Sequence, residues 1–226
     1  VSGLGLAIEL SQREGSIAVG DGRAAPAVRR FASGGARHDD PLMPAIDAAV
    51  RELGGTPRDL RLIAVSTGPG GFTGLRIAAT AARMLAEALG ARLVDVPSAL
   101  VAAAGASAPG PWLVAAAAKR GSVWATRVAP TDAGLAIVGV PGIANAAEAD
   151  LSGVRTLLAD EHAPPELVER ARALGLVVES HRLDAIRCLE LGFARAAAGI
   201  EVDPLRLAPL YPREPEAVTL WRERHG

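Results

Sequence analysis

The stretch whose residue types and spacing most invite chemistry is STGPGGFTGLR, residues 66–76. It is a glycine-rich turn between an apolar run, Leu62 to Val65, and a helical pattern. Backbone N–H groups at such a turn commonly hold a phosphate. The spacing does not match either usual form. A P-loop needs glycine, four residues, glycine and lysine; with Gly74 as the second glycine, Pro69 stands at the first and Leu75 replaces the lysine. A dinucleotide fingerprint needs G-x-G-x-x-G; Gly68 and Gly70 fit, but Thr73 occupies the third position. The glycines are better read as sites of positive φ or close backbone approach. Thr73 is then a candidate helix cap, and Phe72 and Arg76 stand in the first turn, where they can face a partner.

Other reactive side chains are sparse. A two-lobed phosphotransferase holds Mg-nucleotide between carboxylates and backbone loops. Glu9, at the end of the first apolar run, and Ser11, in the turn after it, are weak nucleotide candidates with Arg76. The strand around 115–118 in the second half is all alanine and supplies no acid. The four histidines are His38, His162, His181 and His225, and none lies within four residues of another, so a His-x-x-x-His metal pair is not encoded. Cys188 is the only cysteine, which excludes an intramolecular disulfide and fits a reducing cytoplasm. It is read as a small buried hydrophobe.

The elements that must position these residues follow from periodicity. The chain has 226 residues, is 50% apolar and 22% charged, and carries a net charge of −1. That suits two lobes with a sizeable core and does not predict an independent grip on nucleic acid. Residues 96–118 carry no charge, but Pro97, Gly105, Pro109 and Pro111 break them, so they read as helix, turn and strand and no membrane span is expected. The N-terminal residues do not read as a signal peptide. The first half reads as strands 4–10, 16–19 and 27–32, then a helix capped by Asp39 or Asp40 with Pro41 at its first position. Strand 61–66, a helix to Leu89, strand 92–96 and helix 98–106 follow. The second half repeats the order: strands 112–118, 123–128 and 135–140, a short helix 145–150, strand 154–159, helix 164–174, strand 176–179 and helix 184–198. This predicts an α/β protein with mixed sheets, a duplicated actin-like (ASKHA, RNase H-like) two-lobe fold. Lobe one spans 1–106, joined by the tail 204–226, and lobe two spans 107–203.

GPGGFTGLRIA (68–78) resembles the G-P-G-S-F-T-G-L-R-I-G signature of the TsaB (YeaZ) family. LAIELSQREGSIAV (6–19), RHDDPLMPAIDAAV (37–50), AAKRGSVWA (117–125) and PLYPREPEAVTLW (209–221) are similar to further family stretches. The chain departs from the pattern at Glu9 and Ala117, where many relatives have Asp, at Gly71, where they carry Ser, and at Ala78. The resemblance implies a non-catalytic adaptor in the synthesis of threonylcarbamoyladenosine at position 37 of tRNA. Its implied partners are a TsaD-like catalytic subunit and a TsaE-like ATPase, with a homodimer when alone, and tRNA is met only through the complex. No cofactor is implied for this chain alone; ATP or ADP belongs to the complex junction. The family's pairing surface maps to helices 40–53 and 73–89, which marks His38, Leu42, Met43, Ile46, Val50, Phe72, Arg76, Ala79 and Arg83 as interface candidates. The residues alone leave two readings of the Leu42, Ile46 and Val50 stripe: it faces its own sheet, or it feeds the interface. An actin-like small-molecule kinase or ATPase is the alternative function.

Overall fold

The computed structural model describes residues 3–32, 41–119, 121–211, Trp221 and Arg224. His38, an interface candidate, and Asp39 and Asp40, the candidate caps, lie outside the described residues.

Two five-stranded mixed sheets carry the chain. The first is built from β1 (Leu4–Glu9), β2 (Glu14–Gly20), β3 (Ala27–Ala32), β4 (Leu60–Ser66) and β5 (Arg92–Val96), in the order β3-β2-β1-β4-β5. The second contains β6 (Trp112–Ala117), β7 (Ser122–Thr131), β8 (Gly134–Asn145), β9 (Thr156–Ala159) and β10 (Val177–Ser180), in the order β8-β7-β6-β9-β10. In each, a three-stranded antiparallel meander is extended by two parallel strands. Both sheets therefore share one topology, as a duplicated two-lobe α/β fold requires.

Alternation along β1 and its neighbours separates two cores. Leu6, Ile8, Ile17, Val19, Ile63 and Val65 face α1 (Leu42–Glu52) and α2 (Phe72–Leu89). The opposite face is small. Ala7 pairs with Ala18 on one side and with Ala64 on the other, so three alanines lie in a row across the sheet. That row receives α5 (Ala185–Ala197), the last helix of the second half, which packs on β1, β2, β4 and β5. The reciprocal exchange also occurs: α3 (Ser98–Gly105), the last helix of the first half, packs on β6, β7 and β8. One buried cluster consequently runs from Ala7 and Ala64 through Val101 and Cys188 to Val114 and Leu158. A separate cluster under α4 (Pro165–Ala173) fills the far side of the second sheet.

Several local readings change. Pro41 is the N-cap of α1 and the helix starts at Leu42. Gly71, not Thr73, is the N-cap of α2, and no side chain caps it. Residues 145–150 form no helix: β8 continues to Asn145, whose side chain accepts the Ala147 N–H at 3.0 Å and whose carbonyl accepts that of Ala149 at 2.8 Å, closing a single turn. Gly139, at φ +75°, interrupts the pairing of β8 and lets the strand carry Pro141. The tail returns to the first lobe as far as it is described: Val202 N–H bonds Leu93 O at 2.9 Å, Leu207 is buried in that core, and Leu210 N–H bonds Thr67 O at 2.7 Å.

The seat of α5 is tight. A Cβ on Gly192 would stand 2.5 Å from the Ala64 Cβ, an atom that cannot swing away. Helix propensity alone would favour alanine by about 1 kcal/mol, whereas overpacking a filled core costs about 1–3 kcal/mol. Gly192→Ala is therefore expected to lower stability, and a urea midpoint above that of the parent would contradict this packing.

Candidate functional site: the interlobe cleft and the outer helix face

A cleft of about 890 Å³ opens between the lobes, within the rough 300–1,000 Å³ range of small-molecule pockets. The first lobe contributes Ser11, Gln12, Arg13 and the turn Pro69–Gly74; the second contributes Ala116, Ala117, Asp160 and His162; Ser180 to Asp184 form the crossing between them. The crossing is tied to lobe one. Gln12 Oε1 accepts the Leu183 N–H at 3.0 Å, Ser16 Oγ accepts the Ala185 N–H at 3.1 Å, and Arg30 pairs with Asp184.

The glycine turn is set directly on the end of β1. Gly68 has φ +101°, which favours glycine. The Gly71 N–H bonds Ser11 O at 2.7 Å. A Cβ on Gly70 would run into the Ser11 side chain, and one on Gly74 into the Leu10 carbonyl. These glycines provide close backbone approach, so the turn and the thin first turn of α2 sit flush on Leu10 and Ser11.

Glu9 is wholly buried and is not among the cleft-lining residues. Its Oε1 accepts the Ser11 N–H at 2.7 Å and also the Ser11 hydroxyl, while Oε2 has no partner. Burial pushes its pKa up, with the hydroxyls of Ser11 and Ser66 and the Ser11 N–H opposing in part. His181 is pushed the other way by burial, against the pull of Asp160, and its Nδ1 is unpartnered. The second-lobe acid that the alanine strand lacks comes from the neighbouring strand end. Asp160, just after β9, accepts the Ala117 N–H at 2.7 Å and lines the cleft. The signal for it was present in the sequence as an acid closing an apolar run, but only the parallel pairing of β6 with β9 brings it beside Ala117. His162 and His181, 19 positions apart in sequence, also line this cleft. Among the described residues no group of three or more His, Cys, Asp or Glu side chains is placed to hold a metal.

The interface candidates divide by burial. Leu42, Ile46, Val50 and Ala79 are turned into the first-lobe core, a correction to their placement on a partner surface: the α1 stripe faces its own sheet. Met43 is 50% exposed and Phe72 54%; Arg76 is exposed and Arg83 half-buried. Burial also shows two residues that were not singled out, Ile77 and Met84, both exposed on α2. The Phe72 ring meets Tyr211 of the tail at 4.9 Å between centroids, and the Arg76 guanidinium lies 5.0 Å from the Phe72 centroid.

These features define a duplicated actin-like two-lobe protein with a polar cleft and a pair of outer helices. A family model described as TsaD, tRNA N6-adenosine threonylcarbamoyltransferase, matches residues 33–157. That is more than half of the chain, and the chain belongs to this family. Among solved structures it is similar to YeaZ from Pseudomonas aeruginosa, at TM-score 0.76 and 20% identity, over 92% of this chain and 99% of that one. It is also similar to an uncharacterised Pseudomonas aeruginosa protein with similarity to peptidase YeaZ, at TM-score 0.77 and 20% identity, over 93% and 100% of the two chains. These likenesses show a shared fold. No curated protein matches the chain by sequence. Among the described residues no helix is long and apolar enough to cross a membrane.

Burial of Glu9 gives a pH signature. A carboxyl whose pKa is raised in the folded state contributes stability that is fully present below its unfolded pKa and is lost as pH rises through the folded one. Glu9→Gln is therefore expected to raise the stability of the chain more at pH 8 than at pH 4. Urea titrations at the two pH values check this, and a variant less stable at pH 8 than its parent would contradict it.

Proposed function

We propose that this chain is a non-catalytic adaptor of the tRNA threonylcarbamoyladenosine machinery, pairing through the outer sides of α1 and α2 with a TsaD-like catalytic subunit and working with a TsaE-like ATPase. The observation that carries the reading is the division of those two helices. Each fills the core with one side, yet Met43, Ile77 and Met84 remain exposed on the other, with Phe72 exposed at the start of α2, and large exposed apolar side chains mark a contact surface. In this reading a second copy covers the face when the partner is absent, tRNA is met through the complex, and ATP or ADP is held at the complex junction. A cytoplasmic setting suits a tRNA-modifying assembly.

The isolated chain is expected to form no modified adenosine from threonylcarbamoyl-adenylate and tRNA, and turnover by it would end the adaptor reading. Met43→Asp and Met84→Asp are each expected to weaken pairing with TsaD by at least about tenfold, the loss typical of a truncated or charged contact residue, with unchanged circular dichroism. Ile46→Asp, at a core position, is expected to unfold the chain instead. Full pairing by both methionine variants would move the interface elsewhere.

One observation favours a second reading, an actin-like small-molecule kinase or ATPase: the cleft between lobes holds an acid from lobe two, Asp160, opposite the polar Ser11–Arg13 turn. Calorimetry decides it. Tight Mg-ATP binding by the isolated chain, lost in Asp160→Asn, would favour this reading over the adaptor.

A further inference from the structure

We propose that the buried side chain of Glu9 is a positioning residue for the docking end of α2, acting through Ser11 and the glycine turn; the inference rests on the adaptor reading above.

A relay of contacts leads from the buried carboxyl to the surface. Glu9 is the last residue of β1 and is wholly buried. Its Oε1 accepts both the backbone N–H and the hydroxyl of Ser11. Two bonds from one residue to one atom leave Ser11 a single orientation. In that orientation the Ser11 carbonyl accepts the N–H of Gly71, the residue at the N-cap of α2, at 2.7 Å. There is no slack between the two segments: a Cβ on Gly70 would stand 2.7 Å from the Ser11 oxygen. One step further, Gly74 lies against the Leu10 carbonyl. The first turn of α2 is therefore seated on residues 10 and 11. From that turn project Phe72 and Arg76, the exposed aromatic and the cation stacked on it, with Tyr211 against the ring.

The cost of Glu9 supports a role of this kind. A buried carboxyl with one oxygen unpartnered is less favourable than an apolar side chain of similar size. Beside Ser11, only the Ser66 hydroxyl also draws the Glu9 pKa down, and it shares a hydrogen bond of 2.8 Å with Ser98. What Glu9 does supply is a fixed acceptor for Ser11, which an apolar residue would not.

The test is hydrogen–deuterium exchange across 68–76 in the isolated chain, read beside the affinity for purified TsaD of the same organism. Glu9→Ala is expected to speed exchange at Gly71 and the first turn of α2 about tenfold, the loss of two hydrogen bonds at about threefold each. The amides of β4 and β5 should stay protected, and TsaD binding should weaken by a similar factor. Glu9→Gln keeps an oxygen for Ser11 and is expected to restore both readouts. Unchanged exchange in Glu9→Ala, or no restoration by Glu9→Gln, overturns the proposal. Should Glu9→Ala fail to fold, Ser11→Ala removes one of the two bonds to Oε1, and it is expected to speed the same exchange about threefold; no change there is equally fatal. Phe72→Ala separates the two levels of inference. If it weakens TsaD binding while Glu9→Ala changes nothing, the docking face stands and the role of Glu9 falls. If Glu9→Ala speeds exchange but neither variant alters TsaD binding, the docking reading itself is overturned, and with it this proposal.

Discussion

The structure depends on an exchange of helices between its halves. Each half ends in a helix that packs on the sheet of the other: α3 on the second sheet, α5 on the first. The exchange is possible because the receiving face of the first sheet is lined by Ala7, Ala18 and Ala64, and because α5 presents Gly192 to that row. Small residues on both surfaces let backbone approach backbone, where dispersion contacts are densest. The result is one core that belongs to neither lobe, with Val101 and Cys188 between the two sheets. The spacing of the cleft walls follows from this core and from the Gln12, Ser16 and Arg30 ties to the 183–185 crossing.

The glycine-rich turn is best understood against that rigid frame. Phosphate-holding turns keep their N–H groups turned outward to a ligand. Here the Gly71 N–H is already committed to Ser11 O, and Gly70 and Gly74 are used to let the chain lie flush on β1. The turn and the β1 end act as one piece, stiffened from beneath by Glu9 and from outside by the tail, where Leu210 bonds Thr67 O. The tail thus does structural work for the same turn that launches α2, although it lies more than a hundred residues away in sequence.

Much of this was legible in the residues. Among the described residues, period and turn chemistry placed the ten strands, the five α-helices and the repeated order, because each element carries its own apolar pattern. What could not be read is which surface an apolar face meets. The α5 pattern shows a buried stripe but not that the first sheet receives it. The Leu42, Ile46 and Val50 stripe fits a partner or its own sheet equally well until burial decides, and Met84 stands out only once its exposure is known. The 145–150 segment misled because a lone turn closed by Asn145 has the composition of a weak helix. Asp160 was overlooked because its place beside Ala117 is a property of strand pairing, and sequence adjacency carries no trace of it. Glu9 was visible as an acid at a strand end; that it is buried and committed to Ser11 was not.

The same exchange of helices constrains where a partner can sit. The alanine-lined face of the first sheet is consumed by α5, and the inner face of the second by α3, so neither sheet has an inner surface left to offer. On the first lobe the outer sides of α1 and α2 remain, and there Met43, Ile77 and Met84 stay exposed. On the second lobe α4 presents Glu166, Glu169 and Arg172 outward, and the exposed apolar side chains lie on β8 (Val138, Val140 and Ile143), just after α4 (Leu174) and on β10 (Val177). In the adaptor proposal, a fold that uses its inner faces for its own cohesion recognises its partner with the backs of its first two helices. One of those helices begins at the glycine turn, so the exactness with which that turn is seated on β1 sets the position of Phe72 and Arg76 at the end of the face.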